Sequence, residues 1–439
     1  MSAPTRPNIL FLFTDDQRFD AVRALGNPEV ATPNMDRLVA QGTSFTHATV
    51  QGSTVPAVCQ PSRAMLMTGR TLYHAPRDCG EFITLPQHLR AHGYATFGTG
   101  KWHNAPPSFA RSFTGGAEIF YGGMSNHLEV PVHDFDPTGG YPAEERRVGK
   151  SFSSELFSDA AVDFLQRHDG AQPFFAYVSY TAPHDPRMAP REYAELYDPG
   201  RVAVPENFMP VHPFDNGEMV IRDELLAPFP RTPEIVQEHI AAYWAMITHL
   251  DAHIGRVLAA LEETGRARDT IIVLAGDNGL AVGQHGLMGK QNMYEHSVRV
   301  PLVIGGPGIP AGARSDALCY LLDIFSTLTD LVDLPAPETV EGRSLAPIIR
   351  GEAERTRESL FHAYMDKQRA VRDDRFKLVE YFIGDGRVTQ LFDLPADPWE
   401  MANLASAPGM DAEVTRLRAE LSRWQRELDD PMAGAVADA

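Results

Sequence analysis

The chain has few cysteines: its 439 residues contain only three, Cys59, Cys79 and Cys319. They cannot all pair, and no CxxC or Cys/His spacing marks a structural zinc site. This scarcity excludes a disulfide framework and indicates a reducing compartment. A lone cysteine is usually a small buried hydrophobic residue, so any other role for one of the three needs support from the rest of the sequence.

Long apolar runs are missing as well. The first run, Ile9–Phe13, has five residues and is soon followed by two aspartates, so it is too short for the apolar region of a signal peptide. No later run approaches the length needed to cross a bilayer. From these features we expect a cytoplasmic protein with no membrane association.

The chain has fewer positive than negative residues, with 39 Lys and Arg, 58 Asp and Glu, and a net charge of −19. Nucleic-acid binding proteins hold phosphate backbones with surplus Lys and Arg, and this chain has no basic cluster. A general nucleic-acid partner is therefore excluded. With 43% hydrophobic and 22% charged residues, the composition is that of a soluble globular protein with a large core.

Short β-rich runs alternate with segments of helical periodicity, which is typical of a largely parallel sheet covered by helices on both faces. The predicted strands are Asn8–Thr14, Tyr94–Thr99, Pro173–Tyr180, Thr270–Gly276 and Pro301–Gly306. The predicted helices are Thr32–Gly42, Leu85–Gly93, Ser153–Gly170 and Pro233–Gly265. The last helix is expected to pack on the sheet through one side, formed by Ile240, Tyr243, Trp244, Ile247, Leu250 and Ile254. The sequence thus predicts an α/β protein with a large, mostly parallel sheet.

The pattern changes in the last part of the chain. From Ser359 onward the sequence predicts antiparallel strands with a turn at Gly384–Gly386, followed by an amphipathic helix over Asp411–Leu428. We therefore predict a main domain over residues 1–350, which carries the chemistry, and a smaller C-terminal subdomain over residues 351–439 that combines an antiparallel sheet with a helix.

Polar side chains follow four of the predicted strands. In strand order they are Asp15 and Asp16, Lys101 and His103, His184, and Asp277 and Asn278. Ligands of open α/β sheets bind at the carboxyl ends of the strands, so we expect these groups at one edge. The aspartates and Asn278 offer hard oxygen donors, which suit Ca²⁺ or Mg²⁺ and suit zinc or copper poorly. Capping of a helix or turn could explain the first aspartate pair, but not why Asp277 and Asn278 follow a strand of the same kind.

Cationic groups complete the expected site. Lys290, in the segment LMGKQNMYE, adds to the lysine and histidines already named, and with a dication they suit a tetrahedral oxyanion, sulfate or phosphate. The Pro61-Ser62 pair is a favourable helix start, so Cys59 just before it would feel the positive end of the helix. Arg63 would lie one turn away on the same side.

The segment CQPSR at residues 59–63, followed by TGR at residues 68–70, resembles the Cys-x-Pro-Ser-Arg motif of the type I sulfatases, which belong to the alkaline phosphatase superfamily. In that family the cysteine is oxidised after translation to formylglycine. Other segments resemble the family in the same order over nearly the whole chain: PNILFLFTDDQ, TPNMDRLVAQG, GTGKWH, APH, GDNG, GKQNMYEHSVRVPLVI and LFDLPADPWEMANLA. The resemblance implies an alkaline phosphatase-like fold and the hydrolysis of sulfate esters.

Carried over residue by residue, the resemblance implies that a formylglycine-generating enzyme converts Cys59 to formylglycine, whose hydrate is the nucleophile. The implied ligands of one Ca²⁺ are Asp15, Asp16, Asp277, Asn278 and the modified Cys59. By the same resemblance, Arg63 and His103 would position the hydrate, and Lys101 and Lys290 would bind sulfate oxygens. His184 would contact the sulfate or protonate the leaving alcohol.

Two stretches without a clear period, Gly115–Gly149 and Met188–Pro233, are predicted to be binding loops. The first contains the aromatic and His-rich segment Tyr121–Phe135, which would suit a sugar ring, with Asn126 and His127 as candidate contacts. We expect a small sulfate ester such as a sulfated mono- or oligosaccharide. Aryl sulfates should serve as artificial substrates.

Two other functions stay open at this point. A phosphonate monoester or phosphodiester hydrolase of the same superfamily can share the cysteine motif. A Ca²⁺-binding pseudoenzyme that binds carbohydrate is the second alternative function, although a protein that only binds has no need of Arg63, His184 and Lys290 together.

His285, ahead of Lys290 in the same loop, is either a site residue or a support for that loop. Whether the chain forms a homo-oligomer is also left open.

Overall fold

The strands and helices follow the alternation that the sequence predicts. In the computed structural model, which describes residues 6–434, the strands are β1 (Asn8–Thr14), β2 (Gly42–Phe45), β3 (Ala48–Thr49), β4 (Gly52–Ser53), β5 (Ala95–Lys101), β6 (Gly115–Phe120), β7 (Pro131–Val132), β8 (Arg147–Val148), β9 (Phe174–Ser179), β10 (Thr270–Gly276), β11 (Leu302–Gly305), β12 (Ala313–Ser315), β13 (Cys319–Tyr320), β14 (Leu360–Tyr364), β15 (Gln368–Arg372), β16 (Phe376–Ile383) and β17 (Gly386–Asp393). The helices are α1 (Pro33–Gln41), α2 (Cys59–Thr68), α3 (Leu85–Ala91), α4 (Pro106–Ser112), α5 (Ser153–Arg167), α6 (Arg191–Ala194), α7 (Pro233–Glu263), α8 (Glu295–Val298), α9 (Asp323–Leu331), α10 (Ala346–Ile349) and α11 (Asp411–Glu427), with short 3₁₀ helices between some of them. Each strand and helix predicted for the main domain is present, and β1 and β10 have the predicted bounds.

Eight strands form the main sheet, in the order β12-β2-β11-β10-β1-β9-β5-β6. The five neighbours from β10 to β6 are parallel to one another. Strand β11 runs antiparallel to both of its neighbours, β10 and β2. The sheet is therefore mostly parallel, as predicted, and the predicted strand at Pro301–Gly306 is the one that runs in the opposite direction.

Alternate residues of β1 pack on opposite faces of the main sheet. Ile9, Phe11 and Phe13 are buried with residues of α2, α3, α4 and α9. Leu10 and Leu12 are buried with residues of α1, α5 and α7. This division arises because successive side chains of a strand point to opposite faces. Helices cover both faces, so the predicted α/β architecture is confirmed.

The long helix α7 packs only partly as predicted. Leu250 and Ile254 pack on the sheet. The other four predicted positions belong to a separate apolar cluster with loop residues: Ile240, Tyr243, Trp244 and Ile247. The reason is length, since a 31-residue helix is about 46 Å long and a seven-residue strand about 23 Å. Neither α7 nor any other helix within residues 6–434 is long and apolar enough to cross a bilayer.

The stretch Gly115–Gly149, predicted to lack regular structure, begins with the edge strand β6 and also contains the short pair β7 and β8. Gly116 of β6 lies against the ring of Phe109, and a Cβ atom there would press on this ring and on the carbonyl of Gly98. Glycine at this position makes room for the Phe109 ring, but it also removes the alternation of apolar and polar residues that marks a strand. The sequence therefore does not reveal β6. The other stretch, Met188–Pro233, contains α6 and short 3₁₀ turns and is otherwise irregular, as predicted.

A five-stranded sheet with the order β17-β16-β15-β14-β4 forms the smaller part of the protein. Its four C-terminal strands are antiparallel neighbours, and α11 packs beside them through the predicted positions Val414, Leu417, Leu421 and Trp424. The fifth strand, β4, comes from the first part of the chain and is parallel to β14. Helix α2 follows β4 and is buried on both sides, with Met65 in the small core and Leu66 in the main core. The boundary at residue 350 stays a prediction.

Gly100, the residue before Lys101 in β5, is expected to be essential for the position of that lysine. It has a left-handed φ of 84°, and a Cβ atom would overlap the carbonyl oxygen of Ser179 on β9. We expect Gly100→Ala to lower the free energy of unfolding by about 2–5 kcal/mol, the sum of left-handed strain and overpacking. Urea denaturation measures this loss.

Gly93→Ala is the matched control for this prediction. Gly93 also has a positive φ, 91°, but nothing lies within 4 Å of the added Cβ position. Only the backbone strain remains, so we expect a loss of about 1–2 kcal/mol. Equal losses in the two variants would contradict the proposed overlap with Ser179.

Candidate active site

The structure brings the predicted polar groups together at one edge of the main sheet. Strands β10, β1, β9 and β5 are neighbours in that order, and all four are parallel. Their carboxyl ends are followed by Asp277 and Asn278, Asp15 and Asp16, His184, and Lys101 and His103. Helix α2 and the loop after β10 add Cys59, Arg63 and Lys290. The parallel register therefore places side chains from distant parts of the sequence in one cluster.

The carboxylates lie close together. The backbone amide of Asp16 donates to Asp277 Oδ1 at 3.0 Å, and the side-chain amide of Asn278 donates to Asp16 Oδ1 at 2.7 Å. Asp15 is held from the other side by the ammonium of Lys101, 2.5 Å from its Oδ2. Burial by itself would raise the pKa of Asp15, but the charges of Lys101 and its other cationic neighbours outweigh it and hold the pKa well below the usual range.

Cys59 is the first residue of α2, so the helix begins two residues earlier than the Pro61-Ser62 pair predicts. Pro61 is tolerated because the first backbone N–H groups of a helix have no intrahelical acceptor. Lys290 Nζ lies 2.8 Å from Cys59 Sγ and 2.6 Å from Asp16 Oδ1. Burial raises the pKa of the Cys59 thiol well above its usual value, and nearby carboxylates raise it further. The unmodified side chain is therefore a protonated thiol, which is a weak nucleophile.

Arg63 is fully buried and links three of the strand ends. Its Nε donates to Asp277 Oδ2 at 2.9 Å, and its Nη1 donates to the carbonyl of Lys101 at 2.9 Å and to Ser179 Oγ at 2.6 Å. The guanidinium also lies over the ring of Phe13, 4.9 Å from its centre. Arg63 thus fixes the relative positions of the strand ends, and Ser179, the last residue of β9, is a partner that the sequence analysis missed although it lies within a predicted strand.

Asp16 and His103 both have a left-handed φ of 62°, which is uncommon for residues other than glycine. Such conformations cost about 1–3 kcal/mol and are typical of functional sites. Burial, followed by the charges of Lys101 and Arg63, lowers the pKa of His103 to about 2. His103 is therefore neutral, and its buried Nδ1 has no hydrogen-bond partner among residues 6–434.

His184 also reaches the cluster, with its Nε2 3.6 Å from Asp16 Oδ2. Its Nδ1 is 2.8 Å from the carbonyl oxygen of Asp185, and Arg222 clamps the Asp185 carboxylate with Nη1 and Nη2 at 2.5 and 3.0 Å. The clamp outweighs burial and lowers the pKa of Asp185 to about 2. Asp185 could have been noticed as the neighbour of His184, whereas Arg222 lies in an irregular stretch without any pattern.

Lys290 is supported by residues that the sequence analysis also missed. Gln291 accepts a hydrogen bond from the backbone amide of Lys290 at 3.0 Å and donates one to Asp223 Oδ2 at 2.8 Å. On the opposite side, Tyr243 of α7 donates its hydroxyl to the carbonyl of Asp16 at 2.7 Å. These contacts come from loops and a helix far apart in sequence, so only the tertiary structure reveals them.

The two candidate substrate contacts differ in position. His127 is 1% exposed, and its ring nitrogens lie 2.7 Å from Ser153 Oγ and 3.0 Å from the carbonyl oxygen of His184. With both nitrogens engaged, His127 supports the His184 loop, which corrects the expectation of direct substrate contact. Asn126 is exposed and caps a turn by accepting from the backbone amide of Leu128 at 3.0 Å, so it stays a candidate contact.

His285 supports its loop. Its ring stacks on Tyr294 with centres 3.9 Å apart, and its Nε2 is 3.1 Å from the side-chain nitrogen of Asn207. Burial and the nearby His212 lower the pKa of His285 to about 3, so it is neutral. Of the two alternatives for this residue, the contacts favour the supporting role.

The donor set fits a hard cation. Asp15 Oδ1 and Asn278 Oδ1 are buried and have no hydrogen-bond partner among the described residues. Burial and the Asp15 carboxylate raise the pKa of Asp277 to about 7, so the carboxylates repel one another at this spacing. The ligand atoms of four side chains lie within 4.8 Å of one another, those of Asp15, Asp16, Cys59 and His184. A dication would satisfy the free oxygens and offset the repulsion.

Known proteins resemble this chain over nearly its whole length. An N-acetylglucosamine-6-O-sulfatase of Bacteroides thetaiotaomicron is 28% identical over 97% of this chain and 87% of its own. Among solved structures, a protein in complex with its substrate D-glucosamine-2-N,6-O-disulfate has a TM-score of 0.82 at 24% identity, covering 97% of this chain and 99% of that one. The phosphonate monoester hydrolase of Agrobacterium radiobacter has a TM-score of 0.78 at 23% identity and covers 96% of each. These similarities confirm the predicted alkaline phosphatase-like fold.

Family models assign the chain directly. The sulfatase model matches residues 7–334, and a model described as the C-terminal part of N-sulphoglucosamine sulphohydrolase matches residues 283–427. The first match spans Asp15 and Asp16, Asp277 and Asn278, the cysteine motif and the lysine and histidine positions of the site. The chain therefore belongs to the sulfatase family of the alkaline phosphatase superfamily and is a sulfuric ester hydrolase.

Proposed function

We propose that this protein hydrolyses the sulfate ester of a small sugar with a formylglycine hydrate at position 59 and one bound Ca²⁺. The location of Cys59 carries the proposal. It is the first residue of α2, 2.8 Å from the Lys290 ammonium and 3.5 Å from Asp16 Oδ1. A sulfate group over position 59 would meet the positive helix end and two lysines, which stabilise developing negative charge on oxygen.

An aldehyde at position 59 would supply chemistry that a thiol or a serine cannot. Of the two hydroxyls of its hydrate, one would attack sulfur and displace the alcohol of the ester. The other, after losing its proton, would expel sulfate by breaking the carbon–oxygen bond and so restore the aldehyde. Conversion would require a formylglycine-generating enzyme. Because Cys59 is 2% exposed in the folded chain, that enzyme would have to act before α2 is buried.

Five residues would hold the Ca²⁺ ion: Asp15, Asp16, Asp277, Asn278 and the modified residue at position 59. The ion would polarise the sulfate oxygens. Ca²⁺ accepts six to eight oxygen ligands in flexible geometry, whereas Mg²⁺ prefers an octahedral shell and keeps several waters. The fully buried carboxylates leave little room for such waters, which favours Ca²⁺.

The cationic residues and the histidines would bind the sulfate group, protonate the leaving alcohol and position the other groups. Lys101 and Lys290, each paired with a carboxylate at the centre, would bind sulfate oxygens. His184 would protonate the leaving alcohol, and neutral His103 would orient the nucleophile through a hydrogen bond. Arg63 is held by Asp277 and the strand ends, so its role would be to position the carboxylate and Lys101.

A sugar substrate is supported by two observations. Related proteins include the N-acetylglucosamine-6-O-sulfatase, and a protein of the same fold is known with a sulfated glucosamine. The loop Tyr121–Phe135 lies at the site, because a Cβ atom at Gly123 would touch the ring of His103.

A cytoplasmic location remains part of the proposal, and fractionation of the producing cells tests it.

The mass of the proteolytic peptide containing Cys59 tests the nucleophile. Protein made together with a formylglycine-generating enzyme should carry an aldehyde or its hydrate at position 59 and should cleave 4-nitrophenyl sulfate and a sugar sulfate. The peptide containing Cys79 is the internal control and should keep its thiol. An intact thiol at position 59 in active protein would contradict the proposed mechanism.

Removal of the metal is expected to abolish activity reversibly. Dialysis against a Ca²⁺ chelator should lower kcat for 4-nitrophenyl sulfate by about 100-fold or more, because a bound cation contributes several kcal/mol to stabilising charge on the transferred group. Added Ca²⁺ should restore activity better than added Mg²⁺. Full activity of protein shown by elemental analysis to contain no metal would contradict the prediction.

A further inference from the structure

Arg187 has a guanidinium group that the fold leaves without an anionic partner. It lies three residues after His184, in the loop that leaves β9. Its Nη1 is 2.7 Å from His239 Nδ1, while its Nε and Nη2 are buried and have no acceptor among the described residues. Burial and then the charge of Arg187 lower the pKa of His239 to about 4, so this single partner is neutral.

Arg187 as a whole is half-buried, and the arginines of the described chain that are fully buried are paired. Each has a carboxylate oxygen within 3 Å, as shown by Arg63, Arg231, Arg369 and Arg372. Desolvating a cation without a hydrogen-bonded anion is costly, and the described chain offers Arg187 only the ring of Tyr243 and carboxylates that act from a distance, those of Asp185, Asp16 and Asp223. A ligand anion is the partner that the site would then require.

The free donors of Arg187 are arranged for an oxyanion. Nε–H and Nη2–H point in the same direction along one edge of the planar guanidinium, and this edge binds the two oxygens of a carboxylate or sulfate side by side. The edge is free because only Nη1, on the other side of the group, is engaged by His239.

Arg187 also lies beside the catalytic centre. Its guanidinium is 5.9 Å from the centre of the Tyr243 ring, and the hydroxyl of this tyrosine holds the carbonyl of Asp16. The carboxylates of Asp185 and Asp16 are close enough to act on the charge of Arg187. Asp16 Oδ1 in turn lies 3.5 Å from Cys59 Sγ, so Tyr243 and Asp16 connect Arg187 to position 59.

We infer that Arg187 binds a second anionic group of the substrate, so that the preferred substrate is a sugar sulfate that also carries another sulfate or a carboxylate. This inference rests on the proposed function and narrows its substrate class. Arg187 would act through binding and specificity, while the groups around position 59 break the ester.

Calorimetric binding tests the inference without turnover. The Cys59→Ala variant, loaded with Ca²⁺, is titrated with glucosamine 6-sulfate, glucosamine 2-N,6-O-disulfate and glucosamine 3,6-disulfate, which place the second charge at different positions on the ring. We expect at least one disulfate to bind about tenfold more tightly than the monosulfate, as charge-assisted bidentate pairs allow. Adding Arg187→Ala should remove this preference, and Arg187→Lys should restore part of it.

Arg191→Ala is the matched control. Arg191 is exposed four residues further along, so its loss changes the net charge equally and should leave the preference intact. Absence of any preference in the parent, or a preference that survives Arg187→Ala, would overturn the inference. Failure of the wild-type, Ca²⁺-loaded enzyme with formylglycine to cleave any sulfate ester would instead contradict the proposed function.

Thermal melting separates a binding role from a structural one. Because Arg187 has no carboxylate partner, Arg187→Met should have a melting temperature no lower than that of the parent. Arg369→Met breaks the buried pair with Asp430, 2.6 Å apart, and should melt at a lower temperature. A comparable fall for Arg187→Met would assign Arg187 to the fold and overturn the inference.

Discussion

Replacing Cys59 by alanine is expected to abolish sulfate ester hydrolysis while leaving the fold intact. The alanine cannot become an aldehyde, so no hydrate forms between Lys290 and the carboxylates. Loss of a covalent nucleophile typically removes most of the rate enhancement, and we expect kcat to fall by roughly 10⁴-fold or more. Steady-state kinetics with 4-nitrophenyl sulfate measure the loss, and circular dichroism checks the fold.

Two further variants show whether the loss belongs to the chemistry of position 59. Cys79→Ala removes another buried thiol, in the main core, and should keep nearly full activity. Cys59→Ser supplies a single hydroxyl, so it should at most take up one sulfate group per chain without release. Retention of a tenth of the activity by Cys59→Ala would contradict the assignment of the nucleophile.

Replacing Arg63 by alanine is expected to cause the largest loss of stability. Arg63 and Asp277 are both fully buried with Nε and Oδ2 2.9 Å apart. Removing the cation leaves a buried carboxylate without its partner, which costs about 3–5 kcal/mol. The free energy of unfolding in urea, measured with a metal chelator present, should fall by this amount.

The pH dependence of the stability loss in Arg63→Ala tests whether the Asp277 carboxyl causes that loss. Burial and Asp15 already raise the pKa of Asp277 to about 7, and loss of Arg63 should raise it further. A carboxyl whose folded pKa is raised loses stability as the pH rises toward that pKa, so the deficit of Arg63→Ala should be larger at about pH 8 than at about pH 6. Arg191→Ala, which breaks an exposed ion pair with Glu195, should cost less than about 1 kcal/mol at either pH. A deficit independent of pH would argue against Asp277 as the cause.

The fold alone does not separate sulfate from phosphonate hydrolysis, since a phosphonate monoester hydrolase shares it with a TM-score of 0.78. The family match over residues 7–334 assigns the sulfatase activity. The pseudoenzyme alternative receives no support from the site, because Cys59, the carboxylates and the lysines all converge there. Comparative kinetics on an aryl sulfate and an aryl phosphonate monoester would measure any secondary activity.

Local features of the sequence predicted the architecture well. The strands β1 and β10 are continuous apolar runs because both faces are buried, and the helices have apolar positions at the helical period. The family motif and the polar residues at strand ends identified the site before its geometry was known. The edge strand β6 was missed because its glycines, which accommodate Phe109, erase the alternation.

Some functional contacts could not have been predicted from the sequence. Arg222 reaches Asp185, and Gln291 joins Lys290 to Asp223, through segments that lack any periodic pattern. His127, expected to contact substrate, instead supports the His184 loop. Such roles depend on which irregular segments meet in space, and no local sequence property encodes that.

The sequence by itself determined the α/β class, the polar residues at the strand ends, and the resemblance to sulfatases, because periodicity, burial and motifs are local properties of a chain. Only the tertiary structure decided which charges are paired. Arg63 is fully buried and has the carboxylate of Asp277 within hydrogen-bond distance, whereas the half-buried Arg187 has a neutral histidine instead. Pairing depends on distances of a few ångströms between residues far apart in sequence, because electrostatic and hydrogen-bond energies in a buried site change steeply with distance.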